Sequence, residues 1–424
     1  MRALGIGAVE PIQLGDYVTM DDDVQFDDLV RAMQRAWLAA RLPTTPRSVD
    51  LVVHSTGALV ARYWMTQYFR PETNPVRRLA MLAPANFGSH LAHKGTSFLG
   101  RVTKGFRSRR LFHTGARILH GLELASPFST RLAMLDRFDP NARWYGRDRV
   151  LATALVGTAG YTGISSAANT SGSDGTVLVS TAHLDPARLV IDFATNPERP
   201  TSKLHAPNGG TAFCRLPGEN HSTIACKDGG PRNTRTLELL RAALTVDDAG
   251  FDPHVADLAR ESAAFRAAQA GDGYTHGYQN TVVAVRDDQG RDVDDYFIEF
   301  FIKQAARNAE DPAATERFQR EALRDVHTNR QAPASRAFKF DCDVLATLLA
   351  GFGRPLNLGI TASPEIRDTK SVGYSTIAYD DIGSLSMGPT AIDRVFVPDR
   401  TLLVELTLRR EQVDDLVRFS PAPR

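Results

Sequence analysis

Residues 49–63 read VDLVVHSTGALVARY. A β-branched apolar run, Val49, Leu51, Val52 and Val53, passes directly into His54-Ser55-Thr56-Gly57, and a helix of small residues (Ala58, Val60, Ala61) follows with no linker. A strand that turns sharply into a helix at a serine pushes the hydroxyl out of the backbone. The first N–H groups of that helix, with the positive end of its dipole, then face the place where an oxyanion would form. Small residues after the serine let the helix pack close to the strand it leaves, and Gly57 meets that need. Two residues before the serine, where such a turn usually carries another glycine, this chain has Val53. An isolated xHSxG also reads as a buried parallel strand ending in a polar turn, so the rest of the chain has to decide.

Two later loops supply the partners a serine nucleophile needs. The apolar run RVLATALV (149–156) has strand character and leads into the Gly/Ser-rich loop GTAGYTGISSAANTSGSDGTV, whose single acid is Asp174 in Ser173-Asp174-Gly175-Thr176-Val177. The segment AFCRLPGENHSTI places His221 in a turn after a short strand, ahead of a helix expected near 231–244. Serine, acid and histidine thus follow one another in the order, loop setting and chemical types of a nucleophile, an orienting acid and a general base.

On these motifs residues 1–245 resemble a lipase or esterase of the α/β-hydrolase superfamily, similar to bacterial lipase-like proteins with AHSTG or VHSTG elbows and an SDGTV acid loop. The resemblance implies an α/β sheet, Ser55 as nucleophile, Asp174 as acid and His221 as base. It implies that the Thr56 N–H serves the oxyanion, and that LAMLAPANFGS (79–89) is the strand after the elbow, with Asn86 and Phe87 lining the acyl site. It also implies a helical cap in the insertion at 90–148, where Phe98 and Leu99 stand among the apolar residues expected to bind substrate; the alternative is a solvated helical insertion packed on the sheet. Mobility of a cap can gate a site, and the interleaved Lys94, Arg101, Lys104, Arg107, Arg109 and Arg110 would suit an anionic lipid surface.

The N-terminus is short for such a fold. Phe26, Leu29, Val30, Met33 and Trp37 recur at helical spacing over 24–40, with Asp21 to Asp23 as the expected cap, so RALGIGAVEPIQLGDYV leaves room for one or two strands. Either the LGIGAVEP turn provides the second oxyanion donor in an unusual way, or the chain starts late relative to its relatives. Loss of one such donor costs on the order of 10²–10³ in rate.

After residue 245 the pattern changes. VDDAGFDPHVADLARESAAFRAAQAGDG reads as a helical linker (246–273) ending in a glycine-bearing break. The remainder, 274–424, offers the runs NTVVAVRDDQGRDVDDYFIEFFIK, AFKFDCDVLATLLAGF, PLNLGITASP and RTLLVELTLRR, with a charged helix near 309–325, and reads as an antiparallel β-sandwich of C2-like or immunoglobulin-like type. The division expected is therefore a catalytic part, 1–245, and an accessory part that governs where the chemistry happens. Asp287, Asp288, Asp292, Asp294 and Asp295 fit turn propensity and solubility; calcium binding of the C2 kind is the alternative.

Composition excludes several classes. Of 424 residues 42% are hydrophobic and 23% charged, enough for a full core, and a net charge of +1 argues against a nucleic-acid partner. No run approaches a membrane span, and Met1 is not followed by a signal-peptide core, so a cytoplasmic location is expected unless a route needing no such signal exports the chain. Any membrane contact would be peripheral, through the cap or the C-terminal part. Cys214, Cys226 and Cys342 are odd in number and lack metal spacing, so reduced thiols are expected; a Cys214–Cys226 bridge across the His221 loop is the alternative. No HExxH, EF-hand or CxxC pattern occurs, and neither a metal nor another cofactor is implied. His54 is expected to pack or hydrogen-bond within the elbow and not to act as a base, and His90 and His93 to be structural or at the site's rim. The expected activity is hydrolysis of carboxylic esters, with lipid esters as the expected substrates. An acyltransferase on the same residues and an inactive binding protein on a hydrolase fold are the alternatives.

Overall fold

The computed structural model of the chain describes residues 9–17, 23–92, 115–305, 307, 309–363, 365–367, 370–374 and 385–412. Among the described residues the elbow strand, Val49–His54, is the edge of a four-stranded parallel sheet that continues through Val76–Leu82, Leu151–Gly157 and Ala212–Leu216. Parallel strands of this kind are covered on both faces, and here the alternation of side chains divides them between two cores. Leu79 and Met81 pack with the helices Phe26–Ala39 and Gly57–Tyr68, whereas Ala80 and Leu82 pack with Arg235–Thr245 and Phe251–Ala268. The register sets His54 beside Leu82 and Leu82 beside Leu155, which aligns the C-terminal ends of the strands. Loops leaving those ends are where open α/β sheets place their ligands.

Phe26, Leu29, Val30, Met33 and Trp37 are all buried, as their spacing predicts. The cap of that helix differs from expectation. Gln25 is the N-cap, its N–H bonded to the Asp28 carboxylate at 3.0 Å in a capping box, while Asp23 pairs with Arg117. A side chain must sit next to the first turn to reach its free N–H groups, and Asp23 stands two residues too early. Among the described residues no strand precedes Val49: residues 9–17 contain a short 3-10 turn, Leu14–Asp16, and residues 1–8 of the expected strand region lie outside them. Of the 90–148 insertion, the helices Ala116–Leu122 and Pro127–Asp136 send Ile118, Leu122 and Leu132 into the same core as the sheet. Residues 93–114, including Phe98, Leu99, His93 and the basic cluster, lie outside the described residues.

By contacts the chain divides into two units. The first is Met1–Pro186, Ala206–Asn280 and Pro398–Thr401; the second is Ala187–His205, Thr281–Val397 and Leu402–Arg424. This differs from the contiguous 1–245, 246–273 and 274–424 read from the sequence, and the pairing of one strand explains why. Ala187–Asp192 runs parallel to Thr401–Leu408, more than two hundred positions away, and so leaves the first unit for the second.

The second unit has a six-stranded sheet in the order Thr201–His205, Ala187–Asp192, Thr401–Leu408, Tyr278–Asp287, Ser335–Asp341, Leu323–Thr328, and a three-stranded sheet of Leu385–Met387, Leu356–Ala362 and Tyr296–Ile302. One core takes Val285 and Phe340 from the first sheet, Phe300 and Leu358 from the second, and Phe318 and Leu345 from two helices, Pro312–Glu321 and Cys342–Phe352. A purely antiparallel sandwich is thus too simple a description. The run AFKFDCDVLATLLAGF divides at Asp341, whose carboxylate accepts the Val344 N–H as an N-cap, and Gly353 ends the helix in the left-handed conformation. The acidic turn finds protein partners. Asp287 accepts from the N–H groups of Gln289 and Arg291 and pairs with Arg410 at 2.8 Å, and Asp292 pairs with Arg286. Among the described residues no helix is long and apolar enough to cross a membrane.

In the first unit, burial pushes His183 down to about 3. Its Nδ1 accepts the Asp185 N–H at 3.0 Å, which requires a neutral ring, and the ring stacks on Phe213 at 4.2 Å. A folded-state value below the unfolded ~6.5 means that stability is full above pH 6.5 and is lost as the pH falls toward 3, by on the order of 2 kcal/mol at pH 5. The three tryptophans, Trp37, Trp64 and Trp144, all lie in this unit, so urea unfolding followed by their fluorescence reports it. Between pH 7.5 and pH 5 the wild type is expected to lose about that much more stability than His183→Leu. Equal losses would mean that His183 carries no such linkage.

Candidate active site

Ser55 sits at the end of the elbow strand with φ +56°, a conformation L residues rarely adopt. Non-glycine residues held there cost of order 1–3 kcal/mol and cluster where the strain serves a site. The backbone around it is over-determined. The Ser55 N–H donates to the Leu82 carbonyl at 3.1 Å, and the Ser55 carbonyl accepts from Ala58 and Ala85. Val53, the departure from the usual motif, is accommodated: a Cβ on Gly57 would lie 3.5 Å from the Val53 Cβ, ordinary contact, so the glycine and the branched residue share this corner without a clash. Thr56 is the N-cap of the following helix, and its N–H carries no hydrogen bond among the described residues.

The acid and the histidine arrive from loops after the third and fourth strands of the sheet. His221 Nε2 lies 3.0 Å from Ser55 Oγ, and His221 Nδ1 lies 2.9 Å from Asp174 Oδ2. A carboxylate only accepts, so the ring donates from Nδ1 and presents Nε2 as an acceptor to the serine hydroxyl. Asp174 is fully buried, and its other oxygen accepts the N–H groups of Thr176 at 2.9 Å and Val177 at 2.7 Å. The two loops are also tied directly, since the His221 N–H donates to the Asp174 carbonyl at 3.0 Å. Beneath the base, Asn220 accepts from the N–H groups of Ser222 and Thr223, and the buried Glu219 accepts from the Asn233 N–H and the Thr236 hydroxyl, anchoring the turn to the next helix.

The hydrogen bond of His54, expected within the elbow, instead crosses to the loop of His221. His54 Nε2 donates to the His221 carbonyl at 2.9 Å, and burial, with His221 and Lys227 nearby, holds its pKa well below the usual histidine value. A neutral His54 adds no positive charge beside the ring that takes up a proton in general-base chemistry.

Asn86 and Phe87, expected at the acyl site, lie in the interior of the first unit. Both are buried, at 0% and 1% exposure. The Asn86 amide donates to the Ala182 carbonyl at 2.8 Å, and its oxygens accept from Arg62, which forks onto the buried Asp136. Buried guanidinium and amide groups must be satisfied, and here they satisfy each other. Sequence spacing carries no sign of that network, because Arg62 and Asp136 are 74 positions apart. His90 likewise is buried, its Nε2 bonded to the Ala168 carbonyl at 3.1 Å. Phe98 and Leu99 lie outside the described residues, as does the LGIGAVEP turn up to Ala8. Cys214 and Cys226 are free thiols, and burial pushes the Cys214 thiol up to about 12. Sequence reading missed Tyr161, whose hydroxyl lies 2.9 Å from Thr176 Oγ1 beside the acid.

No family model matches the chain, and no curated protein does. Among solved structures it is similar to phospholipase PlaB from Legionella pneumophila, at TM-score 0.75 and 23% identity over 96% of this chain and 87% of that one. The same enzyme in complex with thio-NAD gives TM-score 0.74 and 22% identity with the same coverage. A third match, the lipase BlEst2 from Bacillus licheniformis, overlays at TM-score 0.28, too poorly to bear on the fold. The chain therefore has a fold shared with a phospholipase over nearly its whole length, the second unit included.

Proposed function

We propose that this protein is a serine hydrolase of carboxylic esters, with lipid esters, phospholipids among them, as its substrates. The observation that carries this reading is the chain of contacts from Ser55 Oγ through His221 to Asp174, at 3.0 and 2.9 Å, on a serine held at positive φ. In the proposed reaction Ser55 attacks the ester carbonyl while His221 Nε2 takes its proton. Asp174 fixes the ring and stabilises its charged form. The Thr56 N–H, at the start of its helix, donates to the oxyanion. His221 then gives the proton to the leaving alcohol, and a water activated by the same ring releases the acyl group. The likeness to a phospholipase is one of fold and supports the choice of lipid esters by analogy.

The test does not depend on which ester is the substrate. A fluorophosphonate reacts only with an activated serine, so the purified chain should label at Ser55, and incubation with phosphatidylcholine or phosphatidylglycerol vesicles should release fatty acid. Absence of labelling would sink the reading and leave the fold as a binding scaffold. Labelling with acyl transfer to an added alcohol in preference to water would make it an acyltransferase.

A further inference from the structure

The loop that carries Asp174 is gripped from two sides by tyrosines to which the proposed chemistry gives no part. On one side Tyr274, from the segment after the helix Phe251–Ala268, donates its hydroxyl to the Ser173 carbonyl at 3.2 Å and lies 3.3 Å from Ser173 Oγ. Its own carbonyl accepts the Gly172 N–H at 2.6 Å. Ser173 Oγ in turn accepts the Gly175 N–H at 3.1 Å and donates to the Thr170 carbonyl at 2.6 Å, so the hydroxyl contact reaches the backbone on both sides of the acid. On the other side Tyr161 bonds Thr176 Oγ1 at 2.9 Å. The Tyr161 backbone is clasped by Asn169, whose side chain bonds its N–H at 2.7 Å and its carbonyl at 2.8 Å. Thr176 is one of the two residues whose N–H groups hold Asp174 Oδ1.

Two glycines of the loop lie against aromatic rings, those of Tyr278 and Tyr161. A Cβ on Gly172 would stand 2.2 Å from the Tyr278 ring, and one on Gly175 would stand 2.6 Å from the Tyr161 ring; both glycines have positive φ. Burial pushes Tyr161 up to about 12 and raises Tyr274, so both hydroxyls keep their protons at any pH at which the protein would work.

We propose that Tyr161 and Tyr274 are positioning residues of the acid: by holding Thr176 and Ser173 on either side of Asp174 they keep its carboxylate in line with the His221 Nδ1–H. The inference rests on the reading of Ser55, His221 and Asp174 as the hydrolytic machinery. Alignment of this kind has narrow tolerance, since a displacement of about 1 Å can cost on the order of 10²-fold in rate. It also gives residues read from sequence as the start of the accessory part a place in the acid's support, because Tyr274 and Tyr278 belong to the first unit.

The test uses the full chain and the variants Tyr161→Phe, Tyr274→Phe and the double variant, which keep the rings and remove only the hydroxyls. Ser55→Ala serves as the control on a soluble short-chain ester. Each single variant is expected to lower kcat about 10-fold and the double about 10²-fold, with KM unchanged. A second readout needs no turnover. The low-field proton resonance expected of the His221–Asp174 hydrogen bond in the wild type should weaken in the double variant. If Ser55→Ala is inactive while the tyrosine variants keep the wild-type rate, or lose thermal stability alone, the inference is overturned and the hydrolase reading stands. If the wild type neither labels nor hydrolyses, the hydrolase reading fails. The proton resonance then decides the positioning role by itself, and an unchanged resonance in the double variant would overturn it.

Discussion

Ser55→Ala is expected to abolish both fluorophosphonate labelling and ester hydrolysis while leaving the fold intact. Removing the nucleophile from an arrangement of this kind costs on the order of 10⁶ in kcat, and what remains comes from binding and oxyanion donors acting on water. The fold should survive because the serine's side chain does little structurally. Its Oγ meets His221, whereas the links to Leu82, Ala58 and Ala85 use the backbone, which alanine keeps. Alanine bears the φ of +56° no worse than serine, so the elbow gains no new strain. The measurement is a rate on a soluble ester together with a thermal melt of both proteins. A Ser55→Ala variant as active as the wild type would show the serine to be structural, and a variant that fails to fold would put the strain, and not the chemistry, at the centre of the elbow.

Local pattern carried the parts of this structure that depend on neighbours in sequence. The β-branched run at 49–53, the small residues after Ser55 and the apolar stripe from Phe26 to Trp37 each specify an element by period and turn chemistry, and each element lies where its pattern put it. The meeting of Ser55, Asp174 and His221 was legible for a different reason. In a parallel sheet, loops at the C-terminal strand ends come together whatever their separation, so chain order and loop type suffice to suggest it. What local pattern could not carry was long-range partnership. Ala187–Asp192 pairs with Thr401–Leu408, and nothing within its six residues says so. Asn86 reads as a polar residue at a strand tip until Arg62 and Asp136 are seen to require it. Cys342–Phe352 reads as a strand because its residues are apolar on most sides; only the Asp341 cap and Gly353 mark it as a helix. The tyrosines flanking the acid left a faint sign, aromatic residues inside glycine-rich stretches, Gly160-Tyr161 and Gly273-Tyr274, where a mobile linker would have no use for them.

Asp174→Asn is expected to lower kcat by on the order of 10⁴ with little change in stability. The asymmetry of the carboxylate's contacts explains both parts. Asp174 Oδ1 accepts two backbone N–H groups, from Thr176 and Val177, and an amide oxygen can accept the same two. Asparagine therefore settles with its oxygen on that side and its NH₂ on the side of His221, where Oδ2 now lies 2.9 Å from Nδ1. A donor facing a donor is untenable in a buried site, so the ring must offer Nδ1 as an acceptor and carry its proton on Nε2. That proton then points at Ser55 Oγ, 3.0 Å away, and the ring can no longer take the serine's own. The loss is one of tautomer and not of geometry, so labelling by fluorophosphonate should fall in parallel with hydrolysis while the melting temperature holds. A rate within about ten-fold of the wild type would remove Asp174 from the machinery, since a merely structural carboxylate is the kind that an amide replaces at small cost. It would also leave Tyr161 and Tyr274 holding a loop with no chemical purpose, which is why this variant should be measured before theirs.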